Sequence, residues 1–133
     1  MPVWLIGTSR GTQSAAYAAS QLPAPAAGGP DGVVLTSTIL VGSNAQDRAV
    51  PQMPLGRIAV PVLLVHHRDD GCSLCPFAQL SQVAQALRGA PRTQTIAVDG
   101  GTSTGDPCEA FAYHGFNGIE RRVVGAIADW IAP

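Results

Sequence analysis

The amino-acid sequence predicts an α/β fold, a three-layer sandwich in which a short parallel sheet of about four strands lies between helices. Short, continuous apolar runs recur along the chain, as is typical of parallel strands that are buried on both faces. Helix-forming stretches separate these runs, and repeated strand–helix units of this length favour a parallel sheet with helices on both faces. The 133 residues have the length of a single domain with its own core, which we expect to span 1–133.

The first half of the chain carries two of the predicted strands. A strand at 3–6 is followed by an alanine-rich helix at 10–22. Proline and glycine break any regular element over 23–30, which is predicted to be a loop. A second buried strand is expected at 33–36. The apolar pattern is lost over 42–57, where we expect a long loop with one helical turn.

The second half carries the clearest strand, at 61–66, which is continuous and apolar. Pro76 is expected to start a helix, and Gly89 is expected to end it. One face of that helix would be apolar and consist of Phe77, Leu80, Ala84 and Leu87. A short fourth strand is predicted at 95–98.

A last helix is predicted after Asn117, because Asn117 and Glu120 have the spacing of a capping box. Its apolar stripe would consist of Val123, Ile127 and Ile131. Strands and helices therefore alternate along the whole sequence, as the predicted fold requires.

Composition excludes several classes of protein. Apolar residues make up 46% of the chain and charged residues only 13%, which indicates a globular chain and not a disordered one. A net charge of −1 with scattered arginines gives no basic surface for nucleic acid. No apolar run approaches the length needed to cross a membrane, and the sequence shows no signal peptide.

The first strand runs directly into Gly7-Thr8-Ser9-Arg10-Gly11, and a helix is predicted to follow at once. Strand, Gly-x-Ser-x-Gly and helix in that order are typical of a nucleophile elbow, a sharp turn that exposes a reactive serine. Gly7 and Gly11 would be small because strand and helix approach closely there. Ser9 is therefore the candidate nucleophile, and the plain alternative is a serine that only caps the helix.

Asp70 follows the end of the strand at 61–66, and His114 lies in a glycine-rich loop before the last helix. Serine, acid and histidine in this chain order are the arrangement of α/β-hydrolases. On Gly7–Gly11, on the segment 61–70 and on 113–116, the sequence resembles the C-terminal half of an α/β-hydrolase of the esterase, lipase or dienelactone-hydrolase kind. The resemblance extends over essentially the whole chain.

The resemblance implies that the chain is an enzyme that cleaves small or accessible carboxylic esters through an acyl-enzyme. Ser9 would attack the ester, His114 would act as the base, and Asp70 would orient the imidazole. The backbone N–H of Arg10 would stabilise the oxyanion. No cofactor is expected, because such a triad uses protein groups alone.

Each of these roles has an alternative. Asp69 lies in the same turn as Asp70 and could be the acid instead. His114 could be a histidine merely exposed in its loop. His66 and His67 are interpreted as packing residues at the end of a strand.

The three cysteines allow three interpretations. If the triad forms, the loops after Asp70 and before His114 must meet, which would bring Cys72 and Cys108 together in a disulfide and leave Cys75 free. Similar pairs occur in secreted members of the family, so this disulfide would point to a secreted or periplasmic protein. Cys72 and Cys75 could instead be a redox pair, or half of a metal site completed by His66 and His67.

Complete α/β-hydrolases have further strands before the elbow, and one of their loops supplies a second oxyanion donor. The sequence is consistent with either a fragment or a minimal hydrolase. In both cases the first strand would have an unpaired, apolar edge, so we expect a homo-oligomer. The alternative function is a non-catalytic remnant of the fold that self-associates or binds a partner through that edge.

Overall fold

The computed structural model describes all residues from Met1 to Pro133 and contains one sheet of four parallel strands. The strands are β1 (Trp4–Thr8), β2 (Gly32–Thr36), β3 (Val62–His67) and β4 (Thr93–Val98), and they lie in the sheet in the same order as in the chain. Every neighbouring pair is parallel. The predicted fold class is therefore confirmed.

Three α-helices cover the sheet: α1 (Arg10–Gln21), α2 (Leu80–Ala86) and α3 (Glu120–Ile131). The larger core cluster joins α1 and α2 to one face of the sheet, and its members include Ala15, Ala19, Leu35, Leu64, Leu80 and Val83. A second cluster joins α3 to the other face, and its members include Val34, Leu63, Val65, Val123 and Trp130. This division gives the three layers. None of the helices is long and apolar enough to span a membrane.

The bounds of the four strands differ from the predicted ones by up to two residues, and the helix expected from Pro76 differs more. The helix expected from Pro76 begins as a 3₁₀ turn at Phe77–Gln79, and the α-helix proper has only seven residues. β4 begins at Thr93, two residues before its predicted start, because Thr93 and Gln94 pair with β3 although both are exposed and polar. Polar residues on an edge strand carry little hydrophobic signal.

The predicted capping box at the last helix is wrong. Glu120 accepts a hydrogen bond from the backbone N–H of Gly118 (2.7 Å), not from that of Asn117. The Asn117 side chain instead donates to Thr102 Oγ1 (3.0 Å) and to the carbonyl of Phe111 (3.2 Å). It therefore fastens the loop between β4 and α3 and does not begin the helix.

The two faces of β1 carry apolar grooves. One groove, of about 500 Å³, runs between β1 and α1, with Leu5 and Ala18 in its wall. Another, of about 320 Å³, lies between Ile6 and α3 and is lined entirely by apolar residues, including Val124 and Ile127. Ile6 is 54% exposed, although the strand it belongs to is as apolar as the buried strands. β1 is thus an open edge of the sheet.

Candidate active site

Ser9 occupies a sharp turn between β1 and α1. Its backbone has φ 52° and ψ −121°, a region that a residue with a side chain rarely adopts and that costs about 1–3 kcal/mol. The Ser9 N–H donates to the carbonyl of Thr36 (3.0 Å), and the Thr12 N–H and hydroxyl donate to the Ser9 carbonyl (2.9 and 2.6 Å). These bonds hold the strained turn at the carboxyl end of the sheet, where Ser9 remains partly exposed.

The two glycines of the elbow have different roles. A Cβ at Gly7 would lie 2.4 Å from the Gly11 carbonyl oxygen and 2.9 Å from Ala15 Cβ, so only glycine fits between strand and helix. A Cβ at Gly11 would meet nothing within 4 Å. The expectation that Gly11 is needed for close packing is therefore wrong, because the close approach involves its carbonyl group and not its Cα hydrogens.

His114 lies in a 3₁₀ turn at Tyr113–Gly115 and is 5% exposed. Its Nε2 is 2.9 Å from Ser9 Oγ, and its Nδ1 is 2.9 Å from Asp70 Oδ2. The buried hydroxyl of Ser37 donates to the His114 carbonyl at 2.6 Å, which fixes the turn from the end of β2. The structure therefore brings together the serine, histidine and acid that the sequence singled out.

Asp70 and Asp69 point in different directions although they are adjacent. Asp70 is buried, and its second oxygen, Oδ1, accepts the N–H of Cys72 at 2.9 Å. Asp69 is exposed, and its backbone N–H donates to Nδ1 of His67 (2.9 Å). The carboxylate in contact with His114 is thus that of Asp70.

Arg10 is the first residue of α1, so its backbone N–H has no acceptor within the helix. Its side chain turns away to Asp47, with 2.6 Å between Nη1 and Oδ2. The hydrogen bond from the Ser43 N–H, followed by those from Arg10, Gln13 and the Ser43 hydroxyl, holds the pKa of Asp47 well below its usual range. This exposed polar network anchors the loop after β2 beside the start of α1.

The sulfur atoms lie next to the acid. Cys72 and Cys108 form the expected disulfide, which ties the turn after Asp70 to the loop that precedes His114. Cys75 is a free thiol that is fully buried, and burial raises its pKa to about 12. Cys72 is thus paired with Cys108 and not with Cys75.

Two buried histidines end β3. His66 donates from Nε2 to the carbonyl of Cys75 (2.8 Å), and the same nitrogen is 3.5 Å from Asp70 Oδ2. Burial lowers the pKa of His66, which favours the neutral ring. His67 bonds the carbonyl of Gly100 and stacks on Tyr113, with 4.4 Å between ring centroids. Both are packing residues, but the contact of His66 with the acid is one that sequence reasoning missed.

Sequence reasoning also missed the role of Ser37. The polar stretch at 36–38 directly after a fully buried strand was the available signal, because buried hydroxyls need partners.

Comparison with solved structures supports this architecture. The structure of TT1662 from Thermus thermophilus is similar over 80% of this chain, with a TM-score of 0.57 and 20% sequence identity. The esterase domain of a Rhodothermus marinus protein is similar over 75% of this chain, with a TM-score of 0.52 and 17% identity. This chain spans about half of each of those chains, 49% and 50% respectively. No protein-family model and no curated protein sequence matches it. The likeness confirms the α/β-hydrolase-like fold.

Proposed function

We propose that this chain is a serine hydrolase that cleaves small or accessible carboxylic esters through an acyl-enzyme. The observation that carries the proposal is the unbroken chain of hydrogen bonds from Ser9 through His114 to Asp70, with 2.9 Å at each step. The fold, which it shares with an esterase domain, supports a hydrolase-type function.

The protonation states follow from the partners. A carboxylate only accepts hydrogen bonds, so the imidazole proton lies on His114 Nδ1, facing Asp70. Nε2 then carries the lone pair and can accept the Ser9 proton as Oγ attacks the ester carbonyl. Asp70 stabilises the imidazolium that forms, and the same proton passes to the leaving alcohol. A water molecule then attacks the acyl-enzyme in the same way, with His114 as the base, and the carboxylic acid product leaves Ser9.

Charge that develops on the carbonyl oxygen needs a donor beside Ser9. We assign this role to the free backbone N–H of Arg10 at the positive end of α1. Complete α/β-hydrolases have a second oxyanion donor, and the loss of one donor costs on the order of 3 kcal/mol of transition-state stabilisation. The reaction as proposed uses protein groups alone and calls for no cofactor.

Substrate size follows from the position of the site. None of the grooves in the structure has Ser9 in its wall, and Ser9 lies partly exposed at the carboxyl end of the sheet. An open site offers little area for burying a large acyl chain. Short-chain or protruding esters are therefore the proposed substrates.

The test compares Ser9→Ala with Ser14→Ala, a second exposed serine of the same segment. With a short-chain chromogenic ester, Ser9→Ala should lose at least about 10⁴-fold in turnover, and a phosphonate probe should no longer label the protein. Ser14→Ala should retain both properties, and neither change should shift stability by more than about 1 kcal/mol. Turnover that survives in Ser9→Ala would reject the proposal.

The open edge favours a second proposal, that two copies of this chain associate through β1. The two grooves beside β1 are lined by no charged residue, so they can meet the same grooves of a second copy without like-charge repulsion. The opposite edge, β4, presents Thr93, Gln94 and Thr95 to solvent and needs no such cover. If ester turnover is absent, self-association through β1 stands as the alternative function.

Light scattering at micromolar concentration tests this association. The parent protein should have about twice the mass of the 13.7 kDa chain, and Ile6→Lys should reduce it to the mass of one chain. Thr95→Lys, which places the same charge on the β4 edge, should leave the dimer intact. A parent protein of 13.7 kDa would contradict the proposal.

A further inference from the structure

Two buried sulfur atoms lie close to the imidazole of the proposed triad and form a group with it. The side chains are those of Cys72, Cys75 and His114, and one potential ligand atom from each lies within 4.8 Å of the other two. Their exposures are 3%, 0% and 5%. Sulfur and imidazole nitrogen are the ligands that Zn²⁺ and similar soft divalent cations prefer.

Hydrogen bonds hold the turn that carries both sulfurs, in addition to the disulfide. The Cys75 N–H donates to the carbonyl of Cys72 (2.9 Å), and the Cys72 N–H donates to Asp70 Oδ1 (2.9 Å). A Cys-x-x-Cys turn is also a frequent source of two ligands in zinc sites. Both sulfurs should therefore stay beside His114 when Cys108 is released.

Cys108 is the accessible end of the disulfide. It lies in the stretch 101–111, every residue of which is exposed, whereas Cys72 is buried. A thiol or phosphine reductant can reach the bond from that side.

We propose that reduction of the Cys72–Cys108 disulfide creates a binding site for Zn²⁺ or another soft divalent cation, formed by Cys72, Cys75 and His114. A dithiol reductant supplies two electrons and two protons, so the S–S bond breaks, Cys72 and Cys108 become thiols, and the reductant becomes a disulfide. The cation then binds the sulfurs of Cys72 and Cys75 and displaces one proton from each.

The spacing requires only a small contraction. Zn–S bonds of about 2.3 Å and Zn–N bonds of about 2.0–2.1 Å place tetrahedral ligand atoms roughly 3.5–3.8 Å apart. The atoms here lie within 4.8 Å of one another, so movements of about 1 Å bring them into place. The three side chains leave the fourth position to a small exogenous ligand.

Metal binding and the hydrogen-bond chain exclude each other. Nδ1 of His114 contacts Asp70 and Nε2 contacts Ser9, so coordination through either nitrogen breaks one of the two bonds. The bound cation would therefore inhibit ester cleavage, a consequence that rests on the proposed function. The binding itself does not.

Cobalt titration tests the binding without reference to activity. Protein reduced with a phosphine should take up one equivalent of Co²⁺ and develop a thiolate-to-cobalt charge-transfer band, which Zn²⁺ then abolishes. The oxidised protein should show no band. Absence of the band in the reduced protein would overturn the proposal.

Variants locate the site. Cys108→Ser frees Cys72 permanently and should show the band without reductant, whereas Cys75→Ser should lose it in the reduced protein. His114→Ala should bind Co²⁺ at least about tenfold more weakly. An undiminished band in Cys75→Ser would assign the metal to other residues and reject the site.

An activity measurement separates this inference from the proposed function. In Cys108→Ser, one equivalent of Zn²⁺ should suppress ester turnover, and a chelator should restore it. A cobalt band without any ester turnover, with or without Zn²⁺, would reject the hydrolase and leave the metal site standing.

Discussion

β1 and β3 are similar in sequence character and different in their surroundings. Each is a short apolar strand that is followed by a residue of the candidate site. Ser9 follows β1 directly, and Asp70 lies in the turn after β3. β3 pairs on both sides and is buried at all six positions. β1 pairs only with β2, and Ile6 near its middle is half exposed. Apolar composition therefore does not distinguish a central strand from an edge.

The two strand ends are also held by different forces. Asp70 is fixed by burial, by the Cys72 N–H and by the neighbouring disulfide. Ser9 is fixed by a strained backbone that is hydrogen-bonded to its neighbours, beside an exposed ion pair between Arg10 and Asp47. The acid is therefore held by buried contacts and a disulfide, whereas the turn that carries the serine combines hydrogen bonds to the buried Thr36 and Thr12 with a polar network at the surface.

The largest expected effect concerns the carboxylates after β3. Asp70→Asn removes the carboxylate that accepts the His114 Nδ1–H. It should lower kcat for ester cleavage by about 10⁴-fold, because the imidazole tautomer with its lone pair toward Ser9 is no longer favoured. Asp69→Asn changes an exposed neighbour and should leave kcat within about a factor of three, the equivalent of a surface change of roughly 0.5 kcal/mol. Steady-state kinetics of both variants check the assignment. The reverse order of effects would move the acid to Asp69.

A second prediction compares the strands through their stability. Leu64→Ala in β3 should cost about 2–5 kcal/mol of unfolding free energy, because the side chain is 1% exposed and leaves a cavity. Ile6→Ala in β1 should cost about 1 kcal/mol or less in the isolated chain. Urea unfolding at two protein concentrations checks both values. Equal costs at low concentration would contradict the contrast between the strands, and a cost for Ile6→Ala that rises with concentration would support association through β1.

The smallest effect concerns the surface network beside Ser9. Arg10→Ala should raise the pKa of Asp47 toward its usual value of about 3.9, and Gln13→Ala should raise it less. A carboxylate with a depressed pKa stabilises the fold above its usual pKa and loses that contribution as the pH falls through the lower, folded-state value. In Arg10→Ala this contribution should therefore be smaller, and its loss should be complete at a higher pH than in the parent protein. NMR titration of the side-chain carboxyl carbon measures the shift, and an unchanged pKa in Arg10→Ala would show that the hydrogen bonds from Ser43 and Gln13 set it without Arg10.

Much of the fold could be predicted from the sequence, because it depends on patterns of neighbouring residues. The strands at 33–36 and 61–66 were predicted because buried parallel strands are continuously apolar. The turn at Ser9 was located because Gly-x-Ser-x-Gly between a strand and a helix describes one backbone geometry. Both signals lie within a few neighbouring residues.

The features that could not be predicted from the sequence depend on contacts between distant segments. Asp69 and Asp70 are equivalent as sequence, and only the approach of His114 distinguishes them. Ser37 and His66 are polar residues in buried positions, and their partners lie elsewhere in the chain or in the next turn. The exposure of Ile6 depends on which strands are neighbours, which no local pattern encodes.

The strictly sequential strand order sets when this site can form. Each strand pairs with one that was made about 30 residues earlier, so the sheet can grow strand by strand as the chain is synthesised. Ser9 and His114 are 105 residues apart. A nascent chain that has reached Val98 already contains every strand but does not yet contain His114. Any reactivity of Ser9 that depends on His114 is therefore acquired late, after all four strands have been made, so partly synthesised chains carry a Ser9 turn that cannot be activated.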